Sequence, residues 1–290
     1  MGRLKSVSGK KKYSKAREFW RRYKRSRVGV LGLCVIIFFA LIALFAPVIA
    51  PRNPFTLSTY RFLPPSAEYP FGTDDLGRDV FSGVIYGTRV SLLVGALGAV
   101  LSTLIGVLVG GLAGYHAGGI DAALMRITEL FMVIPRVFFA LVLVVLVGPS
   151  VWNVIFVIGI LTWTDAARIM RAQFLSVKEL EYVEAARALG VTTPKIIFRE
   201  ILPNASPPII VNASLQVSRA ILLEATLSFL GLGDPNVMSW GFMLNNAQAV
   251  LRSAWWMAVF PGLALFLVTL SANLVGDGVN DAFNPKLKER

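Results

Sequence analysis

Residues 176–203 read SVKELEYVEAARALGVTTPKIIFREILP and form a polar interval between long apolar segments. Ser176 and Glu179 have the spacing of a capping box, which predicts a helix that starts near Val177. Gly190 follows a run of good helix formers and predicts the end of that helix, because glycine adopts the left-handed conformation without a Cβ clash. The first half of the interval is therefore predicted to be one short helix that a glycine closes.

The second half of the interval carries signals for another helix. Thr193 is a good N-cap residue, and Pro194 suits the first helical position, where its missing N–H is not needed. This helix is expected to end near Ile201, before Pro203. Two short helices joined at a glycine can serve simple packing, can read DNA as a helix-turn-helix, or can present a surface to a partner. The rest of the sequence distinguishes between these three interpretations.

The composition indicates a membrane protein. The 290 residues are 55% hydrophobic and only 16% charged, and the mean hydropathy is +0.65, which is outside the range of ordinary soluble domains. The one cysteine, Cys34, lies in an apolar run. A single cysteine excludes a disulfide or a cysteine-based metal site within this chain.

The positive charge is concentrated where it argues for a membrane anchor and against a nucleic-acid partner. Residues 1–27 contain twelve Lys/Arg and one acid, Glu18, directly before the first apolar run, as the positive-inside rule expects of a cytoplasmic segment. Phe19, Trp20 and Tyr23 fall on one side of a predicted helix there. Residues 1–27 are thus predicted to be a basic amphipathic segment that can lie on an anionic bilayer face. A cleaved signal peptide is not expected, because the apolar run is nearly long enough to span a membrane.

Six segments approach the roughly 20 apolar residues that a spanning helix needs. We therefore predict an all-α integral membrane fold with six transmembrane helices, at residues 28–50, 91–113, 124–147, 152–170, 207–230 and 256–275. The predicted parts of the chain are an extracytoplasmic loop at 51–88, a five-helix core at 89–278 with a cytoplasmic loop at 171–205, and a cytoplasmic tail at 279–290.

The distribution of Lys and Arg fixes the predicted orientation. With six spans both termini lie on one side, and 22 of the 29 Lys/Arg fall on that side, which the positive-inside rule identifies as cytoplasmic. The polar interval at residues 176–203 is then cytoplasmic.

Two details of the spans are predicted from small residues and proline. In the second span Gly98, Ser102, Gly106, Gly110 and Gly114 recur every four residues, which indicates a face where another helix packs closely. The third span contains Pro135 and is expected to be kinked.

Part of the polar interval resembles a known loop. Glu184-Ala185-Ala186, then Gly190, then Leu202-Pro203 is similar to the EAA loop of ATP-binding-cassette importer permeases. The sequence departs from that pattern at Glu200, where isoleucine is usual.

A second stretch resembles the signature of C-type permease subunits in dipeptide, oligopeptide and nickel importers. Residues 71–80 read FGTDDLGRDV and residues 85–95 read IYGTRVSLLVG. The signature positions in the first of these are Gly72, Thr73, Asp74, Asp75, Gly77, Arg78 and Asp79. With the basic N-terminal segment and six predicted spans, the resemblance covers nearly the whole chain.

The resemblance implies a complex in a prokaryotic cytoplasmic membrane. This chain would pair with a second, homologous permease, two cytoplasmic ATPases and an extracytoplasmic solute-binding protein. ATP and magnesium would bind to the ATPases, and the sequence has no phosphate-binding GxxxxGK[ST] motif of its own. In the family the EAA glutamate and glycine are the contact and the bend, which map to Glu184 and Gly190. The coupling residues implied are Glu181, Glu184, Ala185, Ala186, Arg187, Gly190, Leu202 and Pro203.

Polar residues in the fifth span are candidates for the translocation path. Asn212, Gln216 and Arg219 share one helical face, and polar groups inside a membrane usually face protein or water. Arg219 and Glu224 are poorly placed to pair with each other, so each is expected to meet another span or the partner chain. The alternative is that these side chains only join helices.

No catalytic or metal site is predicted. The Asp74, Asp75 and Asp79 cluster does not have the spacing of a calcium loop, and a short capped helix is expected there. The expected function is that of a permease subunit for di- or oligopeptide import. Nickel or oligosaccharide import remains an alternative within the family. A channel or a secondary transporter that works without ATP is the alternative from another class.

Overall fold

The computed structural model describes residues 15–283, and this part of the chain is helical apart from its loops and one isolated bridge between Thr73 and Asp79. The predicted basic cluster before Lys15 and the tail cations after Phe283 lie outside the described residues. The helices are α1 Lys15–Tyr23, α2 Arg27–Ile49, α3 Val80–His116, α4 Gly118–Val133, α5 Arg136–Val147, α6 Val151–Val177, α7 Glu181–Ala188, α8 Thr193–Lys195, α9 Leu202–Phe229, α10 Trp240–Ala247 and α11 Trp256–Phe283.

Among the described residues, four or five helical units are long and apolar enough to cross a membrane. Four are the single helices α2, α3, α6 and α11, and the fifth is the pair α4 and α5, which is bent by 92°. The bend lies at Ile134 and Pro135, so the predicted kink is confirmed. The helix α9 has 28 residues but carries several polar side chains. The prediction of an all-helical membrane fold is confirmed; four of the predicted spans are recognisable by length and composition, or five if the bent pair is one span.

The helices extend beyond the apolar runs that predicted them. The second predicted span began at residue 91, whereas α3 begins at Val80, because Asp79 caps it by accepting a hydrogen bond from the Ser82 amide at 3.0 Å. The last predicted span ended at residue 275, whereas α11 continues to Phe283. Apolar runs mark the part of a helix that lipid or core surrounds, and polar flanking residues remain helical beyond it.

The helices α3 and α6 pack in close contact along the predicted stripe of small residues. A Cβ atom added at Gly106 would lie 2.5 Å from the Cβ of Ala166 and 2.7 Å from the carbonyl oxygen of Trp163. Such distances leave no room for a side chain, so the stripe lets the two backbones approach each other, as predicted.

The remaining helices surround this pair. The helices α9 and α11 pack against α3 and each other, α2 packs on α11 and α3, and α5 packs on α6. The short helix α10 packs against α9 and α11, and its fully buried Trp240 donates a hydrogen bond from Nε1 to the Val84 carbonyl at 3.0 Å. This bond ties α10 to α3 and satisfies the buried indole N–H.

The predicted basic amphipathic helix is observed as α1, and its aromatic face packs partly on the protein. Phe19 lies with its ring centroid 4.9 Å from that of Phe283 in α11. Tyr23 is buried and donates a hydrogen bond from its hydroxyl to the Gly29 carbonyl at 2.8 Å. Trp20 is half exposed.

The start of the polar interval differs from the prediction. Ser176 does not cap a new helix, because α6 continues through it to Val177. The helix α7 starts at Glu181 instead, and its N-cap residue Leu180 makes no side-chain capping bond. A capping box satisfies free backbone amides, and inside a continuing helix the amides near Ser176 are already bonded.

The glycine end of α7 is as predicted. Gly190 has a φ of +75°. Its amide donates to the Arg187 carbonyl at 2.9 Å, and the next amide, of Val191, donates to Ala186 at 3.1 Å. These two bonds form a Schellman motif, which closes the helix.

The second predicted helix does not end before Pro203. Pro194 lies in the first turn of α8, as expected, but α8 passes through a π-helical segment, Ile196–Ile201, directly into α9. The amide of Leu202 bonds to the carbonyl of Ile197, five residues back. Such a widened turn is one of the local adjustments by which a helix accommodates a proline such as Pro203. The polar interval is thus continuous with the helix that follows it.

Candidate functional site

A cavity with a volume of about 910 Å³ lies between α4, α6 and α9. This volume is in the range of small-molecule sites. Its polar lining comes from three helices: Thr128, Glu129, Asp165, Arg168, Arg171, Asn212 and Arg219.

An ion triad joins three helices at this cavity. Arg136, the first residue of α5, places Nη2 3.0 Å from both carboxylate oxygens of Asp165 in α6. Arg219 of α9 donates from Nη1 to Oδ2 of the same carboxylate at 3.1 Å. Charged groups in a membrane protein are stable when they face a cavity and pair with one another. Asp165 therefore links its own helix, α6, to α9 and to the bend between α4 and α5.

A second ion pair joins α4 and α6 beside the cavity. The guanidinium of Arg171 in α6 contacts both carboxylate oxygens of Asp121 in α4, with Nη2 to Oδ2 at 2.6 Å. Such a bidentate pair fixes orientation as well as distance. Arg168, one turn closer to Asp165, has only a contact of 3.7 Å to the Met132 sulfur among the described residues.

The four predicted path residues separate into two groups. Asn212 and Arg219 line the cavity. Gln216 is buried against α3 and α6, with its amide nitrogen 3.4 Å from the Ser102 hydroxyl. Glu224 is also buried and accepts a hydrogen bond from Ser228 at 2.7 Å, one turn further along the same helix. Both charged residues meet another element as expected, because Arg219 pairs with Asp165 of α6 and Glu224 is buried beside Ser91 of α3 and Ser239.

Sequence reasoning did not select Asp165 and Arg136 as path residues. The signal was present, because a carboxylate in the middle of the 27-residue helix α6 is an ionisable group inside a span. Its partner follows Pro135 at the bend. Pairing across 29 positions in the sequence cannot be inferred from helical spacing.

The predicted coupling residues lie on and beside α7. Val183 is fully buried, whereas Glu181, Glu184 and Arg187 are exposed on the other side of the helix. Beyond these, Ala185, Gly190 and Pro203 are exposed, and Ala186 and Leu202 are half-buried. The helix α7 is thus held by Val183, with Ala186 packed beside it, and presents the rest of its surface outward.

The signature residues form a turn that caps α3. The Asp74 carboxylate accepts a hydrogen bond from the Arg78 amide at 2.8 Å and contacts the Arg78 guanidinium. The Thr73 carbonyl accepts from Nε1 of Trp256 at 3.0 Å, which joins this turn to the start of α11. The expected short helix is wrong, because Gly72 and Gly77 have positive φ angles that break helical continuity. Asp75 lies 3.6 Å from the Arg78 guanidinium.

Comparisons with known proteins identify the family. The family described as the binding-protein-dependent transport system inner membrane component matches residues 106–289, and the N-terminal transmembrane domain of oligopeptide transport permease C matches residues 14–65.

Named relatives match nearly the whole chain. The dipeptide transport system permease protein of Bacillus subtilis is 41% identical, covering 95% of this chain and 87% of the relative. The glutathione transport system permease protein of Pectobacterium atrosepticum is 37% identical, covering 94% and 91%. A structure of the MetNI methionine ABC transporter in inward-facing conformations aligns with a TM-score of 0.57 at 20% identity, over 69% of this chain and 96% of that one, and so shares the fold. The chain belongs to the family of binding-protein-dependent transport system inner membrane components.

Proposed function

We propose that this chain is a permease subunit of an ATP-driven importer of small peptides and forms half of a translocation path with a second, homologous permease. The observation that carries the proposal is identity of about 40% over 94% of the chain to a dipeptide permease. The relative named for glutathione, a peptide, supports the same substrate class. The cavity between α4, α6 and α9 is the proposed contribution of this chain to the path.

The helix α7 is the proposed docking element for an ATPase subunit. Exposed apolar side chains lie on α7 and at its two ends: Leu180 is 44% exposed, Tyr182 is 40% exposed and Leu189 is 84% exposed. Exposed apolar groups of this size favour a protein partner. Val183 packs in one cluster with Ile196 and Ile201 of the π-helical segment. A displacement of α7 would therefore be transmitted to α9 through these packed side chains.

The proposed topology has six spans with both termini in the cytoplasm. It counts α4 and α5 as the third span and α9 as the fifth, whose polar side chains face protein and the cavity. The excess of Lys and Arg near the termini and around α7 supports this orientation in a prokaryotic cytoplasmic membrane. The signature turn would then be extracytoplasmic, on the side of the solute-binding protein.

The proposed partners are the second permease, two ATPases that bind ATP and magnesium, and the solute-binding protein. The test is uptake of radiolabelled dialanine by proteoliposomes that contain all of these components. We expect uptake to need ATP, the binding protein and this chain. Uptake that persists without the ATPases would support a channel or secondary transporter instead, and uptake of nickel or maltotriose in place of dialanine would assign another substrate class.

A further inference from the structure

The arginine side chains that line the cavity have more N–H donors than the cavity's own carboxylates accept from. Arg171 is occupied by Asp121. Arg219 makes one bond, to Asp165, and its side chain is 48% exposed. Arg168 contacts only a thioether sulfur within the described part of the chain. A guanidinium offers several N–H donors in a planar fork, so Arg168 and Arg219 have donors left for a ligand.

Arg219 can change partners at low cost. Asp165 accepts from Arg136 with both oxygens at 3.0 Å, so it stays paired when Arg219 leaves. Removing the only partner of a charge in such a site is strongly unfavourable, and the second arginine avoids that penalty. Asp165 also shows which ligand the site fits, because it is itself a carboxylate held by two guanidinium groups.

We propose that Arg219, together with Arg168, binds the C-terminal carboxylate of the transported peptide, which replaces Asp165 as the partner of Arg219. The ligand class is a small peptide with a free C-terminus. This inference rests on the proposed function, since it assigns the substrate group that this cavity recognises. Arginine suits the task because its fork matches a carboxylate in two parallel hydrogen bonds.

A purely structural role for the triad makes a different prediction. If the triad only joins α6 to α9, then removing either charge of the Asp165–Arg219 pair weakens the same contact, and removing both restores a neutral contact. If Arg219 binds a ligand carboxylate, removing Asp165 takes away a competitor and strengthens ligand binding. The two roles are therefore separated by the sign of the effect at Asp165.

The experiment uses the assembled transporter in lipid nanodiscs, without the binding protein, so that peptide reaches the cavity directly. Cys34 is replaced by alanine, and Ala172→Cys, in the cavity lining, reports occupancy through its rate of alkylation, read on this chain by mass spectrometry. Gly119→Cys is the control reporter, since a Cβ at that position would meet no atom within 4 Å apart from its chain neighbours and the backbone of its own helix. The ligands are dialanine and its C-terminal amide.

We expect dialanine to slow alkylation at Ala172→Cys and not at Gly119→Cys. Arg219→Gln should raise the half-protecting concentration of dialanine about tenfold, as for the loss of one charge-assisted hydrogen bond. Asp165→Asn should lower that concentration. The amide should protect more weakly than dialanine and should respond little to Arg219→Gln. Arg252→Gln, an exposed arginine away from the cavity, should behave as the parent.

Equal protection by dialanine and its amide in the parent protein, or an unchanged half-protecting concentration in Arg219→Gln, would overturn the inference. If Arg219→Gln does not assemble, the double variant Asp165→Asn with Arg219→Gln is used instead. Protection of this double variant by dialanine would indicate that Arg219 only makes a structural contact. Loss of protection would support the proposal. Dialanine uptake by parent proteoliposomes tests the proposed function separately. Normal uptake with no effect at Arg219 refutes this inference alone.

Discussion

Two neighbouring glycines of α3 give a matched test of how closely α3 and α6 pack. A Cβ atom at Gly110 would overlap the carbonyl oxygen of Ala167 and would lie 2.9 Å from the Cβ of Met170. At Gly111 the nearest atom is Cζ of Phe174, at 3.4 Å. Alanine at position 110 must therefore push the two helices apart, whereas alanine at position 111 only meets the end of a ring.

The expected difference follows from these contacts. Both substitutions gain the same helix propensity of about 1 kcal/mol, which cancels in the comparison. Overpacking at a rigid contact costs about 1–3 kcal/mol, and a backbone carbonyl cannot rotate away as a side chain can. With a difference of about 2 kcal/mol, Gly110→Ala should unfold at a Tm roughly 3 °C below that of Gly111→Ala.

The measurement is thermal unfolding of the two variants and the parent in the same lipid and detergent. The folded fraction after heating is measured by size-exclusion chromatography with fluorescence detection. Assembly with the partner permease at low temperature serves as the control for folding. A Gly110→Ala variant that is as stable as Gly111→Ala would refute the close contact between α3 and α6, and with it the placement of Asp165 relative to α3.

Three further predictions concern other contacts. Gly190→Val should abolish dialanine uptake while leaving the complex assembled, whereas Gly190→Asn should retain most of it, because asparagine tolerates the positive φ of +75°; equal uptake by both would contradict a role for this bend. Trp256→Phe should lower the free energy of unfolding by about 1–3 kcal/mol, because it leaves the Thr73 carbonyl without its donor, whereas Trp255→Phe, at a half-exposed position, should change it by less than about 0.5 kcal/mol. Arg171→Gln should lower the Tm of the complex, and adding Asp121→Asn should recover part of that loss, since the two side chains form one ion pair; no recovery would show that Arg171 acts through another contact.

Much of the helical framework is predictable because its causes are local or periodic. The apolar runs locate α2 and α11, the stripe that includes Gly106 marks the contact with α6, and Gly190 marks the end of α7. Each of these signals acts within its own helix or requires only that some helix packs there. The partner of the stripe, α6, is a tertiary fact that the stripe does not contain.

The errors come from local signals that tertiary structure overrides. Ser176 and Glu179 form a valid capping pattern, yet α6 packs on α3 through this region and keeps its own helix intact to Val177. Pro203 is a valid helix terminator, yet the π-helical segment before it lets α9 begin without a break. In both cases the sequence pattern describes what the backbone can do, and packing selects one outcome.

The candidate site was likewise predictable only in part. Arg219 was predicted as a path residue because a cation inside a span needs a polar environment, and it lines the cavity. Gln216 was predicted on the same face, but the crossing of α9 with α3 and α6 buries it. Helical spacing orders residues around one helix and does not say which arc faces a neighbour.

The proposed docking helix and the proposed ligand site are connected through one helix. Val183 of α7 packs with the π-helical segment, which continues into α9 and reaches Arg219 after about 26 Å of helix at 1.5 Å per residue. Movement of α9 against α6 would act on the single Arg219–Asp165 bond, while Arg136 keeps its two bonds to Asp165. A half-exposed pair of this kind contributes about 1 kcal/mol or less, so displacement of α7 could release a bound carboxylate and return Arg219 to Asp165 at little energetic cost.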